Sequence, residues 1–261
     1  MRLLLWLSLV FCWSCAERYT PWGVDVPSEY SSLTDRNLKK LAALPAATYP
    51  LKIALLGDPQ GTPQDLESVI EVINLRTDIR MILVLGDLTD YGLMHEYVWA
   101  ARSLENAHVP NLSVIGNHDA IAHGKKIYER MFGPFDYVFS DAGLKFVMFN
   151  NNQFEFGTTD FDWLKSQIDS STIVSSHVPP AIDMHTAEQI DAWTSINAEA
   201  KIITSLHGHR GSKTDFLQME KKIPYYVVPK VDGVRYSILT IDEDHKLGFE
   251  LCTPECRVSP W

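Results

Sequence analysis

Positive charge is in short supply in this 261-residue chain: 23 Lys and Arg stand against 33 Asp and Glu, a formal net charge of −10. Proteins that track a phosphate backbone carry a basic stripe, so this balance excludes an extended nucleic acid as the expected partner. Small phosphoesters stay open, because a bound divalent ion draws phosphate to an acidic protein locally. Cysteine is scarce as well. Of four in the chain, Cys12 and Cys15 fall in the N-terminal region, which leaves Cys252 and Cys256 in "ELCTPECRV". No second pair completes a four-ligand zinc site. In an exported protein the two can instead close a small disulfide around Pro254. Internal repeats and low-complexity tracts are absent. The N-terminal apolar run, from Leu3 to about Trp13, is too short to cross a bilayer as a mature helix.

Arg2, that apolar run, and the small residues Ser14 and Ala16 ahead of Glu17 form the pattern of a secretory signal over residues 1–16. Cys15, behind Ser14, also resembles a bacterial lipobox cysteine, although Cys12 and Trp13 fit that box poorly. The expectation is an exported protein of the periplasm or cell envelope, either soluble or lipid-anchored at Cys15. Such an anchor would be its only membrane contact. A buried N-terminal helix is the plainer alternative.

With 46% hydrophobic residues the chain can fill a sizeable core, and nothing marks an internal domain boundary. Residues 17–50 read as a leader with Pro21, Pro27, Pro45 and Pro50 and one polar helical stretch near Asp35 to Leu44. From residue 51 onward apolar runs of strand length recur: "LKIALLG" (51–57), "MILVLG" (81–86), "NLSVIG" (111–116), "LKFVMFN" (144–150), "TIVSS" (172–176) and "KIITSL" (201–206). Between several of them, "PQDLESVIEVINLR", "MHEYVWAARSLENA", "KKIYERMFG" and "TDFDWLKSQI" have helical spacing. Thr62 or Pro63 can start the first helix, with Asp65 and Glu67 early in it. The alternation predicts a layered α/β domain over 51–261. "PYYVVP", "GVRYSILTI" and "KLGFELC" add strands without helices between them, which suggests a mixed sheet or a second sheet packed on the first.

Polar residues cluster where these strands end. Asp58 and Gln60 follow the first in "LLGDPQG", and Asp87 follows the second in "LVLGDLTDYG". Asn117, His118 and Asp119 follow the third in "IGNHD". "IVSSHVPP" supplies His177, and "ITSLHGHRG" supplies His207 and His209. Successive strand ends of an α/β sheet form the edge where ligands bind. Each piece alone reads as a turn or a structural histidine. A turn needs no His, however, and a core needs no carboxylate and imidazole at five strand ends. Mixed Asp, Asn, His and Gln ligation suits Mn, Fe, Zn or Co better than Ca or Mg. Two such ions can clamp a phosphate and activate a water. Arg210 is either a solvated surface residue or a bidentate phosphate holder. His95, His123 and His185 are expected in surface or structural roles, and Tyr91 and Trp99 are expected to pack.

The order "GDPQ", "GDLTDYG", "GNHD", "SSHVPP", "HGHRG" resembles the calcineurin-like metallophosphoesterases over about residues 51 to 241, with Gln60 where most members have His. The resemblance implies a four-layered α-β-β-α sandwich of two mixed sheets holding two divalent ions. It further implies hydrolysis of a small phosphoester, a phosphodiester or phosphomonoester. On the matching positions, Asp58 and Gln60 would bind the first ion, Asp87 would bridge both, and Asn117 and His177 would bind the second. His118 would protonate the leaving oxygen, oriented by a hydrogen bond to Asp119. The family's Gly-His-x-His motif fits here in two ways. Gly208-His209 matches its start and puts Gly211 in place of the second His. Alternatively His207-Gly208-His209 keeps both imidazoles, which could share a face at i and i+2, and puts Leu206 in the Gly position. Gln60 and Gly211 also leave room for a catalytically weakened protein that only binds a phosphate ligand on the same scaffold.

Overall fold

The structure is a computed structural model that describes residues 23–180, 185–212, 214–253 and 255–259. The expected signal segment at 1–16, with Cys15, lies outside them. A 3-10 turn (Ser28–Tyr30) and α1 (Leu33–Ala43) lead into β1 (Leu51–Leu56), α2 (Pro63–Asn74), β2 (Met81–Val84), α3 (Met94–Glu105) and β3 (Asn111–Ser113). A second 3-10 turn (His118–Ala120), α4 (Gly124–Met131), β4 (Tyr137–Asp141), β5 (Leu144–Met148), α5 (Gln153–Phe156), α6 (Phe161–Gln167) and β6 (Thr172–Ser175) follow. The chain continues through α7 (Ala187–Ala200), β7 (Thr204–His207), β8 (Phe216–Glu220), β9 (Ile223–Val227), β10 (Tyr236–Ile241), β11 (Leu247–Cys252) and β12 (Cys256–Val258).

Two mixed six-stranded sheets result, ordered β12-β11-β10-β1-β2-β3 and β4-β5-β6-β7-β9-β8. In the first, β1, β2 and β3 are parallel; in the second, β5, β6, β7 and β9 are. The strands read as unbroken apolar runs because both faces are covered. Alternate residues serve different cores. Ile53, Leu55, Leu83 and Leu85 meet Phe146, Ile173 and Leu206 between the sheets, whereas Ala54, Leu56, Ile82 and Val84 meet Val69, Ile70 and Tyr97 from the helices. A third cluster, including Val174, Trp193 and Tyr225, fills the space between the second sheet and its helices. The expected α-β-β-α layering is therefore the observed one.

Local chemistry explains where the elements start. Pro63 opens α2 behind Thr62, with Asp65 in the first turn. Leu66, Val69, Ile70 and Ile73 then recur at helical spacing and are buried. The described part of the segment read as a leader, residues 23–50, packs onto the domain: Tyr30 and Leu33 join one core and Leu41 another. Asn37 Oδ1 accepts from the Asn111 backbone N–H at 3.1 Å, fastening α1 to β3. Cys252 and Cys256 form a disulfide across the β11–β12 pair. Among the described residues no helix is long and apolar enough to cross a membrane.

Candidate metal centre

Parallel strands of both sheets aim their C-terminal ends at one edge, and the loops that leave them meet there. Asp58 follows β1, Asp87 follows β2, Asn117 and His118 follow β3, His177 follows β6 and His209 follows β7. Three of these turn sharply: Asp58, Asp87 and His209 have φ of 42°, 54° and 72°. A non-glycine residue in this left-handed region costs on the order of 1 kcal/mol, and such costs concentrate where a side chain must be aimed. Gly116 is needed for a different reason. A Cβ there would lie 2.1 Å from Asp87 Oδ1, so only glycine lets the β3 loop close on that carboxylate.

Four donor atoms converge. Asn117 Oδ1 lies 3.0 Å from His177 Nε2 and 3.0 Å from His209 Nδ1. His177 Nε2 is 3.2 Å from His209 Nδ1 and 3.2 Å from Asp87 Oδ2. His177 Nδ1 donates to the Leu85 carbonyl at 2.7 Å, which leaves the Nε2 lone pair facing the cluster. Atoms bound at about 2.0–2.1 Å around one tetrahedral ion stand roughly 3.3 Å apart, close to the spacings here. Asp87, His177 and His209 thus have the spacing of a group that could hold a metal ion, and the Asn117 oxygen lies beside them. The electrostatics agree. Burial raises the Asp58 carboxyl and lowers the His177 imidazole, but Asp87 and then Asp58 outweigh burial at His177 and lift it to about 9. Burial opposes ionisation of Asp87 too, yet His177 beside it pulls that carboxyl below its ordinary value. Two buried carboxylates demand a positive charge between them, and a divalent cation supplies it as a proton does.

The other expected site residues sort differently. Asp58 accepts the His209 backbone N–H on Oδ1 at 2.8 Å and the Gly211 N–H on Oδ2 at 3.0 Å. Half-buried Gln60 donates its backbone N–H to the Asp87 carbonyl at 3.0 Å, while its Oε1 is buried without a hydrogen-bond partner. His118 sits beside the cluster: its N–H donates to Asp87 Oδ1 at 3.0 Å and its ring Nδ1 lies 2.9 Å from the Asp90 carbonyl.

Asp119 differs from the expectation. It does not touch the His118 ring, and it accepts instead from Thr89 N, Thr89 Oγ1 and Gly116 N, each at 2.9 Å. Burial, reinforced by Asp87, pushes its carboxyl up to about 7. Asp119 therefore buckles the β2 and β3 loops, and the Asp90 carbonyl orients His118.

His207 is not brought to the cluster either. Its ring points to the helix side of β7, 5.4 Å from Trp193 and stacked on Tyr225 at 5.7 Å, with Nδ1 3.2 Å from Ser176 Oγ. Burial drives this imidazole down to about 3, keeping it neutral. Spacing at i and i+2 fails to align it with His209 because β7 ends at His207 and His209 has left the extended backbone.

Two residues escaped the sequence reading. Asn151 donates Nδ2 to the Val178 carbonyl at 2.6 Å and accepts the Val178 N–H at 3.1 Å, and Asn152 donates to the Ile115 carbonyl at 2.8 Å. They hold the chain on either side of His177 and Asn117, and three consecutive asparagines after a strand were the available signal. His185 packs against Trp193, and His95 against Trp99. Tyr91 and Trp99 are 63% and 47% exposed rather than packed. Trp99 lines a small cleft of about 80 Å³ with Pro59, Pro63, Leu66, Leu88 and Asp90, between the loops that carry Asp58 and Asp87.

No curated protein is similar to the chain in sequence. Among solved structures, purple acid phosphatase PPD1 from yellow lupin seeds superposes with a TM-score of 0.60 at 13% identity, over 80% of this chain and 52% of its own. The chain thus spans about half the length of that phosphatase. GAP50, the anchor in the inner membrane complex of Plasmodium, superposes at 0.56 with 11% identity over 77% of this chain and 84% of its own. The 5'-nucleotidase from Candida albicans does so at 0.51 with 11% identity over 79% and 52%. Identities this low speak for the fold. The sequence itself matches the calcineurin-like phosphoesterase family over residues 51–230. With that match, the four-layered fold and the donor cluster at its strand ends, the chain is a member of the calcineurin-like phosphoesterase family.

Proposed function

We propose that this chain hydrolyses a small phosphoester with a divalent ion held by Asp87, Asn117, His177 and His209. The single observation that carries the reading is the convergence of those four donors, from both sheets, with His118 alongside. Two imidazoles in the set favour Mn, Fe, Zn or Co over the alkaline earths. When bound, such an ion polarises a phosphoryl oxygen and makes a water acidic enough to attack near neutral pH. The chain's own residues do the rest. Asn117 contributes a neutral oxygen, so the site keeps room for an anion. With its Nδ1 proton held on the Asp90 carbonyl, His118 presents Nε2 as the atom that delivers a proton to the departing oxygen. The Trp99 cleft gives the leaving group an apolar wall.

Replacement His118→Ala tests this. Ion content should stay as in the parent, while turnover of an alkyl phosphoester falls by about 100-fold or more. Turnover of a nitrophenyl ester, whose leaving group needs no proton, should change far less. Equal losses on both esters would remove His118 from that role. Gly211, where an imidazole is usual, favours a second reading, a phosphate-ligand binder. Ion retention with no turnover on any phosphoester would select it. An exported location, soluble or anchored at Cys15, is supported by the N-terminal apolar segment and by the Cys252–Cys256 disulfide.

A further inference from the structure

The placement of His209 decides how its loop matches the family motif, and from this we infer that the centre is built for one tightly held ion. The ion sits on Asp87, Asn117, His177 and His209, and the neighbouring position beside Asp58 takes a second, hard ion only weakly. The inference rests on the proposed metal-dependent function and deepens it.

His209 Nδ1 stands 3.0 Å from Asn117 Oδ1 and 3.2 Å from His177 Nε2, which makes Gly208-His209 the start of the Gly-His-x-His pattern. Gly211 then occupies the place of the second imidazole. His207 cannot replace it, because its ring is buried against Trp193 and Tyr225 on the other face of β7. Among the described His, Cys, Asp and Glu side chains, the group with metal-ligand spacing is Asp87, His177 and His209, without Asp58.

The carboxylate oxygens on the Asp58 side already have hydrogen-bond partners. Both Asp58 oxygens accept backbone N–H groups, from His209 at 2.8 Å and from Gly211 at 3.0 Å. The residue that lacks the imidazole therefore turns its own N–H onto the carboxylate that an ion would use. Asp87 presents Oδ2 to His177, and its Oδ1 accepts the His118 N–H. Gln60 Oε1 is buried without a hydrogen bond, and it is a neutral amide. A position of carboxylate and amide oxygens alone suits a hard cation such as Mg²⁺ or Mn²⁺, with no nitrogen to hold Zn²⁺.

Full-length protein stripped with a chelator and titrated with Mn²⁺ alone tests the inference, followed by calorimetry and electron paramagnetic resonance. The first equivalent should bind roughly 100-fold more tightly than the second and show the signal of isolated Mn²⁺. One equivalent should survive gel filtration, and His209→Ala should abolish its retention. Two equivalents of similar affinity, a spin-coupled pair, or retention of no ion would each overturn it. Nitrophenyl phosphoester turnover on the same samples keeps the two readings apart. One tight ion without turnover sinks the enzyme and leaves the stoichiometry standing; two equal ions with turnover do the reverse.

Discussion

Gly116 and Asp119 act through the same few ångströms. The Asp119 carboxylate accepts the Gly116 N–H, and the missing Cβ of Gly116 lets Asp87 stand against the β3 loop. Gly116→Ala puts a methyl group 2.2 Å from the Asp87 backbone nitrogen, so Asp87 must move. Metal affinity is expected to fall by roughly 10- to 100-fold, read by competition with a chromogenic chelator. Unchanged affinity would show that the carboxylate has slack. At this scale the sequence was only partly legible. Asp87, Asn117, His177 and His209 stand out because carboxylate, amide and imidazole follow strands. Whether His207 or Asp119 joins them depends on the φ at His209 and on which acceptor reaches which N–H, and neither leaves a mark in residue order.

Arg80 precedes β2 and Asp141 ends β4, so their bidentate pair, at 2.9 and 2.7 Å, spans the two sheets at the edge remote from the centre. Both side chains are mostly buried, at 14% and 10% exposure, which lifts the pair above an ordinary surface bridge. Arg80→Ala leaves Asp141 uncompensated and also removes the bond to the Pro45 carbonyl. A loss of about 2 kcal/mol is expected, seen as a lower urea midpoint with turnover and metal content unchanged. A midpoint equal to the parent's would assign the pair to solvent screening. Elements differ in legibility for a related reason. β1, β2 and β6 announce themselves by runs buried on both faces. α7 went unread because "AEQIDAWTSINAEA" buries only Trp193, Thr194 and Asn197, too few to form a stripe. β8 escaped because it is an edge strand with no fully buried residue.

For the molecule as a whole, an ion on the proposed donors, which come from both sheets, would clamp one half to the other. Ligand linkage makes its affinity a folding term: at an excess of about 100 times Kd, Mn²⁺ should stabilise the stripped protein by about 2.7 kcal/mol. For a chain of this size that is roughly 5–10 °C in Tm, measurable by calorimetry and reversed by chelator. A Tm indifferent to Mn²⁺ would count against a folded-state site, since either the folded chain does not bind the ion or the unfolded chain binds it equally well. The same arrangement sets a clock. β1 keeps an open edge until Tyr236–Ile241, from the far end of the chain, lies down beside it. Asp58 has no loop to grip until His209 and Gly211 exist. Such distant pairings form late. A chain still on the ribosome, or threading through a membrane, would on the proposed ligand set be blind to metal, and an ion held there would be the one abundant where folding ends.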